Sequence, residues 1–460
     1  MNLKTDLYEH QKKAFNKLSK IKVAALYLEM GTGKTRTALE LIKKRLDKGK
    51  VNHVLWLCPC SVKENLKRDI KKHCTGDLSM FTICGIQTLS SSIRANSALL
   101  ELVKKKKCYL VVDESNLVKN IEAKRTQNII RLSQYCKYKL ILNGTPISKN
   151  EKDLFSQWYI LDWRILGYQS FWSFAANHLE YDENIPGKVN KCLNTDYLVN
   201  KIAPYSYQAK KCECLDLPPK TYETIYYEMS YEQQIHYDWV AEELLFSLDE
   251  FKPHTIYNFL SALQMVIAGY NLTIKNDKIT SKEWGFKNII DNPRMETFLD
   301  TIDGVEEKVI IFAKYTQEIK DIVTALNSKY GDGSAVPFYG ELNQKQRNKN
   351  IERFTTTSQF FVANKTCAGY GLNLQFCSYV IYYSNDWDYA TRSQSEDRVH
   401  RIGQTENVHI VDICAANTLD ERVLKCLERK EDLVDDFKNE LEQQKEMINK
   451  KKIKSNLKEK

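Results

Sequence analysis

The sequence holds no Cys-x-x-Cys pair, no apolar run long enough to cross a bilayer, and no apolar core behind its N-terminal MNLKTDLYEHQKK. A membrane-spanning helix needs about 20 consecutive apolar residues, and a secretory signal needs an apolar central stretch. Neither is present, so the expectation is an intracellular protein with no membrane part. Thirteen scattered cysteines without paired spacing describe a reduced chain rather than a disulfide framework. Cys58, Cys60, His73 and Cys74 come nearest to a zinc set. Their spacing fits no zinc motif, and Cys58 closes an apolar, strand-like run. Short-period repeats are absent, and so is low complexity outside the lysine-rich end.

Strong charge is also missing. The formal net charge is +9, but residues 445–460 carry seven Lys and two Glu, or +5, which leaves +9 − 5 = +4 for the rest. Charge alone does not mark a nucleic-acid binder. The chain has 460 residues, 43% hydrophobic and 28% charged, which is enough for two or three globular domains.

What is present is a rhythm. Apolar runs at 52–59, 109–114 and 139–146 form one set, and runs at 308–313, 360–364, 379–384 and 408–413 form a second. Each is apolar on both faces, as a parallel strand covered by helices must be. Amphipathic stretches lie between them. Ala38, Leu41, Ile42 and Leu46 share one helix face, and Ile319, Ile322, Val323 and Leu326 share another. The pattern predicts an α/β fold with parallel sheets flanked by helices. About 150 residues without clear strand alternation separate the two sets and predict helical insertions around a linker near 200–220. Thr418 and Glu421 are spaced as a capping box at the start of a last helix.

Four motifs carry chemistry. In LYLEMGTGKTRTALELI, an apolar run ends in Gly31-Thr32-Gly33-Lys34-Thr35 and a helical pattern follows. Such a loop cradles phosphate with backbone N–H groups. Lys34 supplies charge to it, and the Thr35 hydroxyl suits Mg²⁺. The strict pattern has Gly six residues before Lys34, where this chain has Leu28. In YLVVDESN, Asp113 and Glu114 close a buried strand. There, one carboxylate can hold Mg²⁺ and the other can activate water. The third motif is LNGTPISKN, a Gly-Thr-Pro turn after a strand. In QSEDRVHRIGQ, Arg398 and Arg401 lie three apart and would share a face of a helix, where they could reach a phosphate as fingers.

In this order the motifs resemble the Swi/Snf-type ATPases of helicase superfamily two. LYEHQ, EMGTGKT, LWLCPCSVKENLKRDI, DESNLVKN, LNGTPISKN, DLPPK, KVIIFAKYT, CAGYGLNL and SNDWDYATRSQSEDRVHRIGQ each match a motif of that family, and HRIGQ is the most diagnostic. The resemblance implies two RecA-like lobes, helical insertions and a C-terminal brace helix that packs back on the first lobe. It divides the chain into lobe 1 (1–205), linker, insertion and lobe 2 (206–417), brace (418–444) and basic tail (445–460). It implies ATP held by Gln11 as adenine reader and by Met30, Gly31, Thr32, Gly33, Lys34, Thr35 and Arg36. Mg²⁺ would sit at Thr35 and Asp113, with Glu114 as base and Arg398 and Arg401 as fingers. Double-stranded DNA would meet Ser61, Lys63, Thr145, Lys314, Gly371, Asn373 and Trp387, with core support as the other reading of Trp387. The implied protein is a monomeric, DNA-dependent ATPase that translocates on duplex DNA. It would be a bare motor of viral, phage or bacterial type, in the cytoplasm of a bacterium or an infected host cell, with the nucleus left open. The alternatives are a strand-separating or annealing helicase and a catalytically weak DNA-binding scaffold. One further departure is Asn116, where the family usually has the His that links the ATP site to the Gly-Thr-Pro motif.

Overall fold

The computed structural model describes residues 1–144, 151–181, 189–246, 253–275, 278–365 and 372–429. Two six-stranded sheets, parallel throughout, organise them. The first takes β1 (Val23–Leu28), β2 (His53–Cys58), β3 (Phe81–Gly85), β4 (Cys108–Val112), β5 (Tyr138–Asn143) and β6 (Ser206–Ala209), in the spatial order β6-β1-β5-β4-β2-β3. The second takes β7 (Lys220–Tyr227), β8 (Val309–Phe312), β9 (Ala335–Phe338), β10 (Phe360–Ala363), β11 (Tyr379–Tyr382) and β12 (Val408–Ala415), in the order β7-β12-β11-β8-β10-β9.

The apolar runs are explained by two cores on opposite faces of each central strand. In β1, Ala25 and Tyr27 enter one core, with Trp158 and Phe174. Leu26 and Leu28 enter the other, with Ala38, Leu41 and Ile42 of helix Lys34–Asp47. A strand sandwiched in this way needs an apolar residue at every position, not every second one. In the second sheet Ile311, Val362, Ile381 and Val411 enter one core, with Ile319, Ile322 and Leu326 of helix Thr316–Tyr330, and the alternate residues Ile310, Phe361, Val380 and Ile410 are buried as well.

Four strands escaped the sequence reading. β3, β6, β7 and β9 all lie at sheet edges, where one side needs no apolar cover. The middle of the chain does carry the expected helices, among them Lys152–Leu166, Tyr231–Phe246 and Pro253–Ala268. It also carries two unexpected antiparallel hairpins, Leu179–Tyr181 with Val189–Cys192 and Tyr270–Lys275 with Lys278–Trp284. Because β6 pairs with β1, it belongs to the first of two compact units, whose main stretch runs Met1–Leu217.

The last helix runs Leu419–Arg429 among the described residues, and 430–460, with the rest of the brace and the tail, lie outside them. Its Leu419, Val423, Cys426 and Leu427 belong to the second unit's own core. Glu421 accepts from the Asn417 N–H at 2.8 Å rather than from Thr418, so the cap is shifted by one residue from the expected box. Arg294 fixes this helix. Its side chain is 2% exposed, pairs with Asp420, and lies 3.5 Å from Glu318. The triad joins helices Pro293–Thr301, Thr316–Tyr330 and Leu419–Arg429. Arg294→Met should therefore cost about 3–5 kcal/mol, because two buried carboxylates lose their cation. Denaturant unfolding of the variant measures this, and a loss below about 1 kcal/mol would show that the triad does not anchor the helix.

Candidate functional site

The chain leaves β1 at Leu28 and turns through Glu29–Gly33 into helix Lys34–Asp47. Gly31 and Gly33 have φ of +80° and +88°, a region that glycine enters without strain. The turn leaves the first N–H groups of the helix, at Lys34, Thr35 and Arg36, without helical carbonyl partners, which is the arrangement that binds anions. Thr32 braces the loop from inside, its hydroxyl donating to the Glu29 carbonyl at 2.7 Å. The Thr32 carbonyl accepts from His10 Nε2 at 2.8 Å and Gln11 Nε2 at 3.0 Å. A Cβ on Gly33 would collide with that same Gln11 amide. Lys34 Nζ donates to the Leu28 carbonyl at 3.2 Å. The position where the strict pattern has glycine thus contributes a backbone oxygen, while the Leu28 side chain is core.

Gln11 and Arg36 are both bonded within the protein. The Gln11 amide is held on both sides, since its Oε1 also accepts from the Tyr8 N–H at 3.1 Å. The Arg36 guanidinium bonds the Thr5 carbonyl (2.6 Å to Nη2) and Glu40 (2.7 Å), and so ties down the N-terminal segment. Met30, in the loop, and Thr35, in the first turn of the helix, are half-buried.

One strand beyond β5, Asp113 and Glu114 follow β4 at the same sheet end. Burial, then the neighbouring Glu114 carboxylate, push Asp113 up to about 7, against the pull of Lys34. A buried carboxylate in this state is a natural cation ligand. Together with the glycine cradle, it makes these residues fit a nucleotide with a divalent metal. Glu114 has φ of +49°, a left-handed backbone that a non-glycine residue adopts only when its surroundings impose it. The imposing bonds lie downstream. Ser115 Oγ donates to Gln157 Oε1 at 2.5 Å, and Ser156 Oγ donates to the Val118 carbonyl at 2.5 Å. Ser115, Ser156 and Gln157 are positioning residues missed from the sequence, since 42 residues separate Ser115 from Gln157. The Asn116 Oδ1 is buried and has no partner among the described residues. Thr145 lies outside them.

Ser61 sits in the short turn Cys60–Val62 after β2, and Lys63 opens the helix that follows. Both are half-buried, and Gln87 Oε1 holds this turn by accepting from the Cys60 N–H at 2.9 Å.

In the second unit, helix Tyr389–Glu396 ends before either expected arginine. Arg398 and Arg401 therefore lie on the turn after the helix and not on its face, which corrects the expected geometry. Arg398 is buried, and its carbonyl accepts from the Leu374 N–H at 3.1 Å. Arg401 Nη1 donates to Asn373 Oδ1 at 2.5 Å, bringing together a residue expected at phosphate and one expected at DNA. Gly371 lies outside the described residues. Lys314 does not project freely. It donates to Gln264 Oε1, and its ammonium lies 4.3 Å from the centre of the Trp387 ring. Trp387 in turn packs edge-on against Tyr257 at 5.2 Å and joins the core margin, as the core-support reading has it. The sequence reading also missed Arg392, which is 5% exposed, chelates Asp412 at 2.6 and 2.8 Å, and bonds Glu396 at 2.8 Å.

The bonds of Gln11 yield a test. If it acts by holding Thr32, Gln11→Ala should raise KM for ATP and for GTP by the same factor, on the order of tenfold for lost buried hydrogen bonds. Steady-state kinetics with both nucleotides checks this. A loss confined to ATP would return Gln11 to the adenine-reading role.

The SNF2-related domain family model matches residues 10–268, and that of the helicase conserved C-terminal domain matches 294–403. An uncharacterized ATP-dependent helicase of Mycoplasma genitalium is 28% identical over 340 residues, 72% of this chain and 31% of its own. The uncharacterized ATP-dependent helicase YqhH of Bacillus subtilis is 25% identical over 447 residues, 91% of this chain and 77% of its own. This chain thus spans only part of such relatives, down to a share of 31%. Among solved structures, the SWI2/SNF2 ATPase core of Sulfolobus solfataricus in complex with dsDNA has 24% identity, covers 93% of this chain and 92% of its own, and gives a TM-score of 0.41. No helix among the described residues is long and apolar enough to cross a membrane. The two parallel sheets are those of two RecA-like lobes, and with more than half its length inside one family match the chain belongs to the SNF2-related family.

Proposed function

We propose that the chain is an ATP-hydrolysing motor that tracks along intact double-stranded DNA as a monomer and remodels protein–DNA or DNA structures in its path. The observation that carries this reading is the pairing, at one end of the first sheet, of the glycine loop with Lys34 and, across the one intervening strand β5, of Asp113 and Glu114. Its nearest support elsewhere is the naming of relatives as ATP-dependent helicases.

The loop N–H groups at Lys34, Thr35 and Arg36 would take the phosphates, and Lys34 would exchange the Leu28 carbonyl for a phosphate oxygen. Thr35 and Asp113 would hold Mg²⁺, which when bound neutralises phosphate charge. Glu114, locked by its left-handed backbone, takes the proton of the attacking water. Arg398 and Arg401 stabilise charge on the transferring phosphoryl group. Arg401 must leave Asn373 to do so, which frees a side chain expected on the DNA. Ser61, Lys63 and Asn373 contact phosphates and not bases, because a motor has to ignore sequence. The cell interior remains the expected place of action.

Two experiments test this. Glu114→Gln should bind ATP but lose hydrolysis, and Arg401→Ala should lose roughly a thousandfold in turnover with little change in nucleotide affinity. Near wild-type turnover in Glu114→Gln would reject the assigned base. The second experiment names the activity. ATPase should rise more with duplex than with single-stranded DNA, and ATP should displace the third strand of a triplex but not split a forked duplex. Efficient fork unwinding with no triplex displacement would establish the strand-separating alternative instead.

A further inference from the structure

The main stretch of the first unit ends at Leu217, and the second unit begins at Pro218. The segment that makes this crossing is fastened at both ends to elements of the proposed chemistry. In the first unit, β6 ends at Ala209, paired with Leu28 where β1 gives way to the glycine loop. The short helix Lys211–Cys214 follows. Glu29, the first residue of the loop, holds that helix. Its Oε2 accepts from the Lys211 N–H at 2.8 Å, while its carbonyl accepts from the Thr32 hydroxyl at 2.7 Å. An N–H in the first turn of a helix has no helical carbonyl to meet, and a carboxylate is a strong acceptor for it. One residue thus joins the inside of the phosphate loop to the exit from the unit.

The other end is fastened within the second unit. The Pro218 carbonyl accepts from His400 Nε2 at 2.8 Å, and the Pro219 carbonyl accepts from the Val408 N–H at 3.1 Å. His400 stands between Arg398 and Arg401, on the turn after helix Tyr389–Glu396. Between the two anchors the chain is short. Only Leu215, Asp216 and Leu217 separate the helix Lys211–Cys214 from the two prolines, whose rings fix their φ angles. Three residues span at most about 11 Å, so this strap has little length in which to absorb a movement of either end.

We infer that Glu29 and His400 are positioning residues that couple the nucleotide-holding loop, through the strap Lys211–Pro219, to the turn bearing Arg398 and Arg401. The inference rests on the proposed function above and deepens it. A phosphate that orders the loop also orders the strap, and through His400 the arginine turn. Cys212, an exposed free thiol on the strap, reports on it. In the whole chain with Mg²⁺ and a saturating non-hydrolysable ATP analogue, alkylation of Cys212 by iodoacetamide should slow by up to about tenfold, the weight of one hydrogen bond to a charged group. Mass spectrometry of the Cys212 peptide reads this, with equilibrium dialysis to measure nucleotide binding. Glu29→Ala should abolish the slowing, and Glu29→Gln, which keeps an acceptor oxygen, should retain part of it. A second measurement tests the far anchor. Residues with no shared partner usually act additively, so the turnover losses of Glu29→Ala and His400→Ala should multiply unless the strap joins them. The double variant should instead lose little more than the worse single one. Circular dichroism confirms folding, and if Glu29→Ala does not fold, Glu29→Gln takes its place in both measurements. Unchanged alkylation in analogue-bound wild type, equal slowing in Glu29→Ala, an inert His400→Ala or losses that multiply would each overturn the strap's role alone. A wild-type protein that binds no nucleotide would bring down the proposed function, and the strap's role with it.

Discussion

Desolvation is the constraint from which the rest of the molecule follows. A strand covered by helices on both faces holds a charged side chain only near its ends or where a partner repays the loss of water. β4 accordingly runs Cys108–Val112 fully buried, and the first carboxylate comes at Asp113, one residue beyond it. β1 gives way to the glycine loop at the same end, and β2 to the turn holding Ser61. The functional residues gather at one end of each sheet because that is where the chain first regains polar surroundings.

The second unit shows what happens when charge is nevertheless buried. Arg392 is enclosed, yet its Nε bonds Glu396, its Nη atoms bond Asp412 and Asn385, and its guanidinium lies 3.3 Å from the centre of the Tyr382 ring. Each of its three nitrogens has a partner, which is the condition under which a buried ion is tolerated. Lys365 is buried beside it and donates to Asn385 Oδ1 at 2.7 Å. Burial, then the Arg392 charge, lower the Lys365 ammonium to about 7. Asn385 thus receives two cations on one oxygen, while its amide donates to Asp412 at 2.6 Å. The loops after β10 and β11 and the strand β12 are fixed to one another through this single side chain.

The extent to which this was legible in the sequence follows from the same physics. Central strands could be read because double burial writes a continuous apolar run, and the glycine loop could be read because its backbone demands particular residues. Edge strands such as β7 (KTYETIYY) are wet on one side and lose that signature. Arg392 and Gln157 act through partners distant in the chain, and their residue types announce nothing. Arg398 and Arg401 were legible as a pair but not as a geometry. Spacing by three implies a shared face only if the helix continues, and here it stops at Glu396. Lys314 was legible as a lysine at a strand end, but a lysine can turn inward when an amide and an aromatic ring receive it, as Gln264 and Trp387 do.

That the chemistry sits on loops raises the question of what transmits a change from one loop to the next. The sheets are too well packed to deform by small amounts. The loops, however, are cross-linked sideways within each unit. Gln87 holds the turn after β2, Gln157 holds the segment after Asp113, and Asn373 and Leu374 hold Arg401 and the Arg398 carbonyl. These hydrogen bonds are worth about 0.5–1.5 kcal/mol net each, and about 1.5–3 kcal/mol where the charged Arg401 donates, so a phosphate can outbid them. Under the proposed function, drawing Arg401 to a nucleotide would release the segment bearing Asn373 without disturbing the strands beneath. A rigid sheet with weakly linked loops along one end can move its contacts on DNA while its core stays fixed. In the first unit's own row of loops stand a strained Glu114 and an Asn116 Oδ1 with no partner among the described residues.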